Sequence, residues 1–156
     1  MNQITHTYQQ IMNENAYPFT LSRTEFRYEF VSISAKKEVK KIVLLTETVN
    51  ISIYNLALLD LLKDGELSDI SETNNDDLKT VLATVFQIMD DFLNKMPRYS
   101  VVFSGSDDRR QRLYRIVIVR ELKEITKKFS VFGGIGDIIL PFEANKTYDF
   151  YLIKKL

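Results

Sequence analysis

The stretch LKTVLATVFQIMDDFLNKMPRYSVVF, residues 78–103, joins the strongest helical pattern of the chain to a strand. Its apolar residues recur at spacings of three and four from Leu78 to Met96, which predicts an amphipathic helix. Pro97 ends the helix because proline lacks the N–H that the next turn needs. The apolar run 100–103 then predicts a strand. We expect the apolar stripe to pack against a sheet; the alternative is a groove for a partner.

Strand patterns dominate the sequence before this helix. Residues 26–33 alternate apolar and polar side chains, with a change of phase after Phe30 that predicts a β-bulge. Residues 39–48 predict a second strand. The apolar run 51–62 fits either a strand or a buried helix, and the flanking Asn50 and Gly65 favour a strand. Residues 66–71 predict a short fourth strand. Residues 73–77, TNNDD, supply N-cap candidates for the helix.

A second helix is predicted over residues 107–128, followed by strands at 129–132 and 148–154. The alternative is a strand at the apolar run 116–119. Residues 133–137, GGIGD, predict a turn. The resulting order is β-β-β-(β)-α-β-α-β-β. Strands in a run and then helices between strands predict an α+β fold, with a curved, largely antiparallel sheet packed against two main helices.

The composition indicates one soluble domain and excludes several kinds of chemistry. The chain has 156 residues, of which 45% are apolar and 27% charged, as in ordinary globular proteins. We predict an N-terminal arm at 1–18 and a single domain at 19–156. The absence of cysteine and the single histidine, His6, exclude a thiol nucleophile and make a Ser-His-Asp triad or multi-histidine metal site untenable within one chain. We therefore predict no cofactor and no metal.

The N-terminal sequence lacks the basic and apolar regions of a signal peptide. The longest apolar runs are far shorter than the roughly 20 residues that a membrane-spanning helix needs. These two features predict a cytoplasmic protein with no membrane partner.

Charge is balanced overall but unevenly distributed. Residues 60–91 hold nine acids and two lysines, whereas residues 98–128 hold nine bases and four acids. Such asymmetry is typical of a charged binding surface. The alternative is two solvated faces that offset each other.

The densest polar cluster, SGSDDRRQRLYR at 104–115, lies where the strand turns into the second helix. Helix N–H groups, small residues and arginines together suit a phosphate or carboxylate. The candidate anion-binding residues are Ser104, Gly105, Ser106, Arg109, Arg112, Tyr114, Arg115 and Arg120. In the alternative interpretation, Ser106 caps the helix, Asp107 and Asp108 satisfy its dipole, and the arginines pair with the acidic region.

Aromatic residues on the predicted strands offer a second binding feature, since aromatic rings on an open sheet stack unpaired bases. They are Tyr28, Phe30, Tyr54, Tyr148, Phe150 and Tyr151. Core packing explains them equally well, and the sequence does not determine which face the helices cover.

Several segments resemble a family of short bacterial proteins of unknown function. The resemblance covers residues 19–155 and is most specific in VVFSGSDDRRQRLYRIVI (101–118) and PFEANKTYDFYLIKK (141–155). It implies a single-domain, cytoplasmic bacterial protein and brings no activity with it. The family pattern marks Ser104, Gly105, Ser106, Arg109, Arg112, Tyr114 and Arg115 as characteristic.

Three hypotheses follow. The first is a binding protein without catalysis, whose partner is another protein or a second copy; a free sheet edge or an exposed apolar patch would favour it. The second is binding of single-stranded nucleic acid, or another phosphate-bearing ligand, through residues 104–120. The third is an enzyme that uses arginines and carboxylates on a phosphoester, which a deep pocket at the junction would favour.

Overall fold

The computed structural model describes residues 10–22, 25–34, 37–68 and 77–156. Within them the chain forms nine strands and two helices, and the predicted α+β class is confirmed. In chain order the elements are β1 (Phe19–Leu21), β2 (Arg27–Ile33), β3 (Glu38–Glu47), β4 (Ile53–Leu61), β5 (Leu67–Ser68), α1 (Leu78–Lys95), β6 (Ser100–Phe103), α2 (Asp108–Ile125), β7 (Phe129–Ile135), β8 (Ile138–Pro141) and β9 (Phe150–Lys155). No helix in these ranges is long and apolar enough to cross a membrane.

All nine strands belong to one sheet, in the order β1-β2-β3-β4-β6-β9-β7-β8, with β5 paired to β4. Every pairing is antiparallel except that of β4 with β6. The parallel pairing covers only Ile53–Asn55 of β4, and the pairing with β5 begins at Asp60. Between these points, the edge of β4 has no strand partner among the described residues.

Both helices cover the same face of the sheet. The core contains alternate residues of β2, β3, β4, β6, β7 and β9, together with the apolar stripes of α1 and α2. Side chains alternate between faces along a strand, so this pattern assigns the core to one side. The stripe predicted for α1 is buried as expected, with Val81, Val85 and Met89 among its members.

The opposite face of the sheet is largely apolar and has no helix over it in the described ranges. Its partly exposed members are Val31, Leu44, Ala57, Leu59, Val102, Phe132 and Phe150. Alternation places these residues on the side away from α1 and α2. Among the described residues, the helices therefore cover one face of the sheet and leave the other, which we call the open face, without a helix.

Residues 10–18, within the predicted arm, pack on the helices. Ile11 and Met12 are buried in the core. The Asn13 N–H donates to Glu121 Oε2 at 2.9 Å, and the Tyr17 N–H donates to Thr84 Oγ1 at 2.8 Å. The segment is thus tied to both α2 and α1.

The predicted β-bulge in β2 is wrong. Each residue from Arg27 to Ile33 faces one partner in β3 in a continuous register. The apparent change of phase arises because Ser32 takes the core position, where its hydroxyl donates to Asp77 Oδ2 at 2.5 Å. The core position that the alternation assigns to an apolar residue thus holds a buried serine whose hydroxyl is hydrogen-bonded. Of the predicted N-cap cluster 73–77, only Asp77 lies within the described residues.

The predicted turn at 133–137 is only partly present, because Gly133 and Gly134 belong to β7. A Cβ on Gly133 would collide with the Tyr148 ring, and one on Gly134 with the Phe150 ring. Each glycine therefore makes room for an aromatic ring that lies against the strand. The chain turns at Gly136, whose φ of 60° is in the left-handed region, and then forms β8, which the sequence analysis missed.

Candidate functional site

The junction between β6 and α2 is built by a close approach of two backbone segments. A Cβ on Gly105 would lie 2.3 Å from the Gln111 nitrogen, so only glycine fits this position. The Gly105 N–H donates to Gln111 Oε1 at 2.6 Å, and the Gln111 amide donates to the Tyr148 carbonyl at 3.0 Å. The small size of Gly105 thus serves the packing of the junction against α2.

Asp107 is the N-cap of α2, where the sequence pointed to Ser106. Its side chain accepts a hydrogen bond from the Arg110 N–H at 2.8 Å. Ser104 and Ser106 are exposed. The carboxylate of Asp107 occupies the end of the helix, and therefore a free anion meets negative charge there.

The start of α2 lies between two cavities, and both are lined by Gly105 and Ser106. We call the first the β4–β6 cleft; it has a volume of about 180 Å³. It is lined by Asn55, Leu56, Ala57, Leu58, Leu59, Leu82, Val85, Phe103, Ser104, Gly105, Ser106, Arg110 and Tyr114. We call the second the α2 groove; it has a volume of about 480 Å³ and runs between α2 and residues 147–151, with Arg112 and Arg115 on its wall.

The β4–β6 cleft combines apolar walls with hydrogen-bond donors. Tyr114 is only 6% exposed, and its hydroxyl makes no hydrogen bond within the described part of the chain. Burial raises the pKa of this hydroxyl above its usual value of 10.0, while the charge of Arg110 opposes the increase. The phenol is therefore protonated at neutral pH and able to donate.

A buried ion pair lies on the same side of the sheet. Lys41 of β3 and Asp60 of β4 face each other across the strands, with Nζ and Oδ1 2.6 Å apart. The Asp60 charge acts on the Tyr114 hydroxyl. Because Lys41 neutralises Asp60, the pair adds little net charge beside the cleft.

The α2 groove carries charges of both signs. Arg112 and Arg115 face Asp107, Asp108 and Asp149 around it. Arg115 Nη1 also donates to the Ala144 carbonyl at 3.2 Å. This bond orients the Arg115 guanidinium and uses one of its donors. An anion in this groove therefore competes with acidic side chains.

The exposed side of α2 carries four cations that make no hydrogen bond or ion pair among the described residues. They are Arg109, Arg112, Arg120 and Lys123, which we call the α2 cation row. On an ideal helix they fall within an arc of about 80° and extend over about 21 Å. The predicted pairing of the arginines with the acidic region is not found for these residues in the described ranges.

The structure distributes the predicted anion-binding residues over three places. Ser104, Gly105, Ser106 and Tyr114 meet at the β4–β6 cleft, whereas Arg112 and Arg115 line the α2 groove with Gly105 and Ser106. Arg109 and Arg120 line neither cavity. The sequence analysis did not include Arg110 among the candidate residues. Residues four apart lie on the same face of a helix, so the buried position of Tyr114 would have indicated that Arg110 lies beside it.

The strand aromatics belong to the core rather than to a stacking surface. Tyr28, Phe30, Tyr54, Tyr148 and Tyr151 are all buried, and only Phe150 is partly exposed. Tyr28 and Tyr151 further use their hydroxyls inside the protein, the latter donating to the Gln111 carbonyl at 3.1 Å. Core packing is therefore the correct interpretation for these residues.

A separate surface lies at the β8 end of the sheet. Ile138, Ile139 and Leu140 of β8 are exposed, as is Ile135 of the adjoining strand β7. No strand of the described chain pairs with the outer side of β8. We call these four residues the apolar edge.

No group of three histidine, aspartate or glutamate side chains in the described part of the chain could hold a metal ion. Comparison with curated proteins and with solved structures found no match. A family model does match residues 13–156, nearly the whole chain. The chain therefore belongs to that family, a family of unknown function designated DUF6934.

Proposed function

We propose that the protein is an interaction protein that pairs with a second copy of itself through the apolar edge. The observation that carries this proposal is the exposure of every residue of β8, a terminal strand without a charged side chain. An edge strand presents unpaired N–H and C=O groups to any neighbouring strand. Proteins usually protect such an edge with charges, proline or a bulge, and β8 has only Pro141, at one end.

A second copy suits this edge because the edge is complementary to itself. In a twofold dimer, the same strand of each subunit meets in antiparallel orientation. Ile138, Ile139 and Leu140 carry no charge, so two identical strands approach without like-charge repulsion. The open, apolar face of the sheet adjoins β8 through Phe132 and Phe150 and would continue across the junction.

Sedimentation velocity with one charged variant tests this proposal. We expect dimers of the wild-type protein and monomers of Ile139→Lys, because a lysine on an edge opposes strand pairing. Val49→Lys is the matched control, since Val49 is fully exposed between β3 and β4 and away from the apolar edge. A wild-type protein that is still monomeric at about 100 µM would refute the proposal, because its dissociation constant would then be weaker than that of a typical specific interface. An Ile139→Lys variant that remains dimeric would also refute it.

The α2 cation row favours a second candidate function, the binding of single-stranded nucleic acid or another phosphate-bearing ligand. Other cations of the described chain, such as Lys41, Lys79 and Lys95, have carboxylate partners. The α2 cation row has no such partner among the described residues, which supports a role in binding external phosphates. Because the strand aromatics are buried, such binding would rest on the phosphate backbone and discriminate little between sequences.

Fluorescence anisotropy with short single- and double-stranded oligonucleotides, across a salt series, tests this candidate. Four phosphate contacts on a single strand predict a slope of about −2.8 for log affinity against log salt. Arg109→Ala combined with Arg112→Ala should reduce the slope to about −1.4. Arg98→Ala, at the opposite end of β6 from α2, is the control. Absence of binding at low salt, or an unchanged slope in the double variant, would rule this candidate out.

A further inference from the structure

The outer side of β8 presents the backbone groups of every second residue. The N–H of Phe142, just beyond the end of β8, donates to the Val131 carbonyl of β7 at 3.0 Å. Because the direction of hydrogen bonding alternates along an antiparallel strand, the backbone groups of Ile138 and Leu140 also point towards β7. The N–H and C=O of Ile139 point the opposite way, out of the sheet.

Ile139 is the one residue of β8 that offers both an outward donor and an outward acceptor. The other residue of the strand that points outward is Pro141, which has a carbonyl but no N–H. At its beginning, β8 is limited by the two-residue turn of Gly136 and Asp137, and the latter carries a charge. A strand that pairs with the outer side of β8 therefore finds a complete pair of groups only at Ile139.

Two copies of β8 satisfy these groups best in one register. When Ile139 faces Ile139 of the second copy, each N–H donates to the C=O of the other residue, and all four groups are paired. A shift by two residues in one direction places Ile139 opposite Pro141, so its C=O finds no N–H and the bond is lost. The opposite shift places Ile139 opposite Asp137, which brings the two Asp137 carboxylates closer together among apolar residues. A shift by one residue sets Ile139 against a residue whose backbone groups point to β7.

The same register joins apolar side chains of the open face across the twofold axis. Ile139 pairs with Gly134 of β7, and the Phe150 ring lies over that glycine. The open face therefore ends at β8 with Phe150 beside Ile139, which is 45% exposed in the single chain. In this register the Cβ atoms of the two Ile139 residues lie about 5 Å apart. An apolar row then continues from Phe150 of one copy to Phe150 of the other.

We propose that two copies of the chain join β8 to β8 in a single register, with Ile139 facing Ile139 of the second copy on the twofold axis. This inference rests on the self-association proposed above, and it identifies the residue that determines how the two copies meet. Pro141 restricts the register, because it removes the N–H from the position that would pair with a shifted Ile139.

Single-cysteine variants test this register, since the wild-type chain has no cysteine and gives no background. In Ile139→Cys the two Cα atoms should lie about 5.5 Å apart, within the range that a disulfide spans. Ile138→Cys and Leu140→Cys should each fail to cross-link alone, because the two identical residues are then two positions apart along the strands, at about 8 Å. Mixed together, these two variants should cross-link, since Ile138 faces Leu140 of the second copy.

Non-reducing electrophoresis after oxidation measures the cross-linked fraction, and sedimentation velocity of the reduced proteins measures the dimer. We expect more than about half of Ile139→Cys and of the mixture to cross-link, and less than about a tenth of Ile138→Cys or Leu140→Cys alone. Val49→Cys is the control and should not cross-link, because β6, β9 and β7 separate its hairpin from β8 in the sheet.

The outcomes separate the register from the self-association itself. A dimer in which Ile138→Cys or Leu140→Cys cross-links alone, and Ile139→Cys does not, would overturn the register and leave pairing through the apolar edge in place. A dimer in which none of the β8 variants cross-links would overturn both proposals. Monomers of every reduced variant and of the wild-type protein would also overturn both.

Discussion

Gly105→Ala is expected to destabilise the protein by pushing the β6–α2 junction away from α2. The new Cβ would lie 2.3 Å from the Gln111 nitrogen and 2.7 Å from the Arg110 carbonyl carbon. Both atoms belong to the backbone of the first turn of α2 and cannot rotate away. The junction must therefore move by about 1 Å to reach ordinary van der Waals contact.

Two costs add in this variant. Overpacking against a rigid backbone costs about 1–3 kcal/mol. The same movement weakens the hydrogen bond from the Gly105 N–H to Gln111 Oε1, which contributes about 1 kcal/mol. The expected loss is about 2–4 kcal/mol, which lowers the Tm of a chain of this length by about 4–16 °C.

Calorimetry or thermal unfolding followed by circular dichroism measures this loss. Gly65→Ala is the control, because Gly65 has a φ of 87° and open space around its Cβ position. It should cost only about 1 kcal/mol, from the left-handed backbone alone. If the Tm of Gly105→Ala lies within about 1 °C of the wild-type Tm, the close approach of Gly105 to the α2 backbone does not restrict this position to glycine.

Three further predictions concern buried polar groups. Lys41→Met should cost about 3–5 kcal/mol in urea unfolding because it removes the counter-charge of Asp60, whereas Lys41→Met with Asp60→Leu should restore stability to near wild type. Burial raises the pKa of Tyr151 to about 12. The stability that this group contributes below pH 10 should therefore fall by about 2 kcal/mol as the pH rises from 10 to 12. Tyr151→Phe should lack this part of the loss when the free energy of unfolding of both proteins is measured along a pH series. Glu121→Ala should cost about 1–3 kcal/mol and speed hydrogen exchange of residues 10–17, since it removes the oxygen that accepts from the Asn13 N–H; unchanged exchange would contradict that role.

The sequence predicted best those helices and strands in which apolar residues recur at regular spacing along the whole element. α1 and α2 were placed to within a few residues, and the patterns of β3, β4 and β6 gave strands at the right positions. β8 was missed because Ile138–Pro141 is exposed on both faces, so its residues do not alternate. β1 has three residues, too few for a period to be visible.

Buried polar residues account for most of the remaining differences. Ser32 in β2 and Glu121 in α2 occupy core positions, and each is satisfied by a group far away in the chain. A pattern based on hydrophobicity places such residues at the surface, since it has no information about distant partners. The same limit explains why Gly133 and Gly134 were assigned to a turn rather than to a strand covered by rings.

The candidate site was predicted in part. The strand–turn–helix junction at residues 104–115 is present, and local sequence was enough to find it. Its division into two cavities depends on β4, about 50 residues earlier, and on residues 147–151, about 40 residues later. Because the pairing of β4 with β6 is non-local, the sequence could not show that Arg110 and Tyr114 share a cleft.

Hydrogen exchange of β8 tests the proposed self-association most directly. Amides of Ile138–Leu140 that point away from β7 have no strand partner in the described chain, and they should exchange slowly only when a second copy covers them. We predict slow exchange in the wild-type protein at high concentration and fast exchange in Ile139→Lys. Equally fast exchange of these amides in both proteins would contradict pairing through the apolar edge.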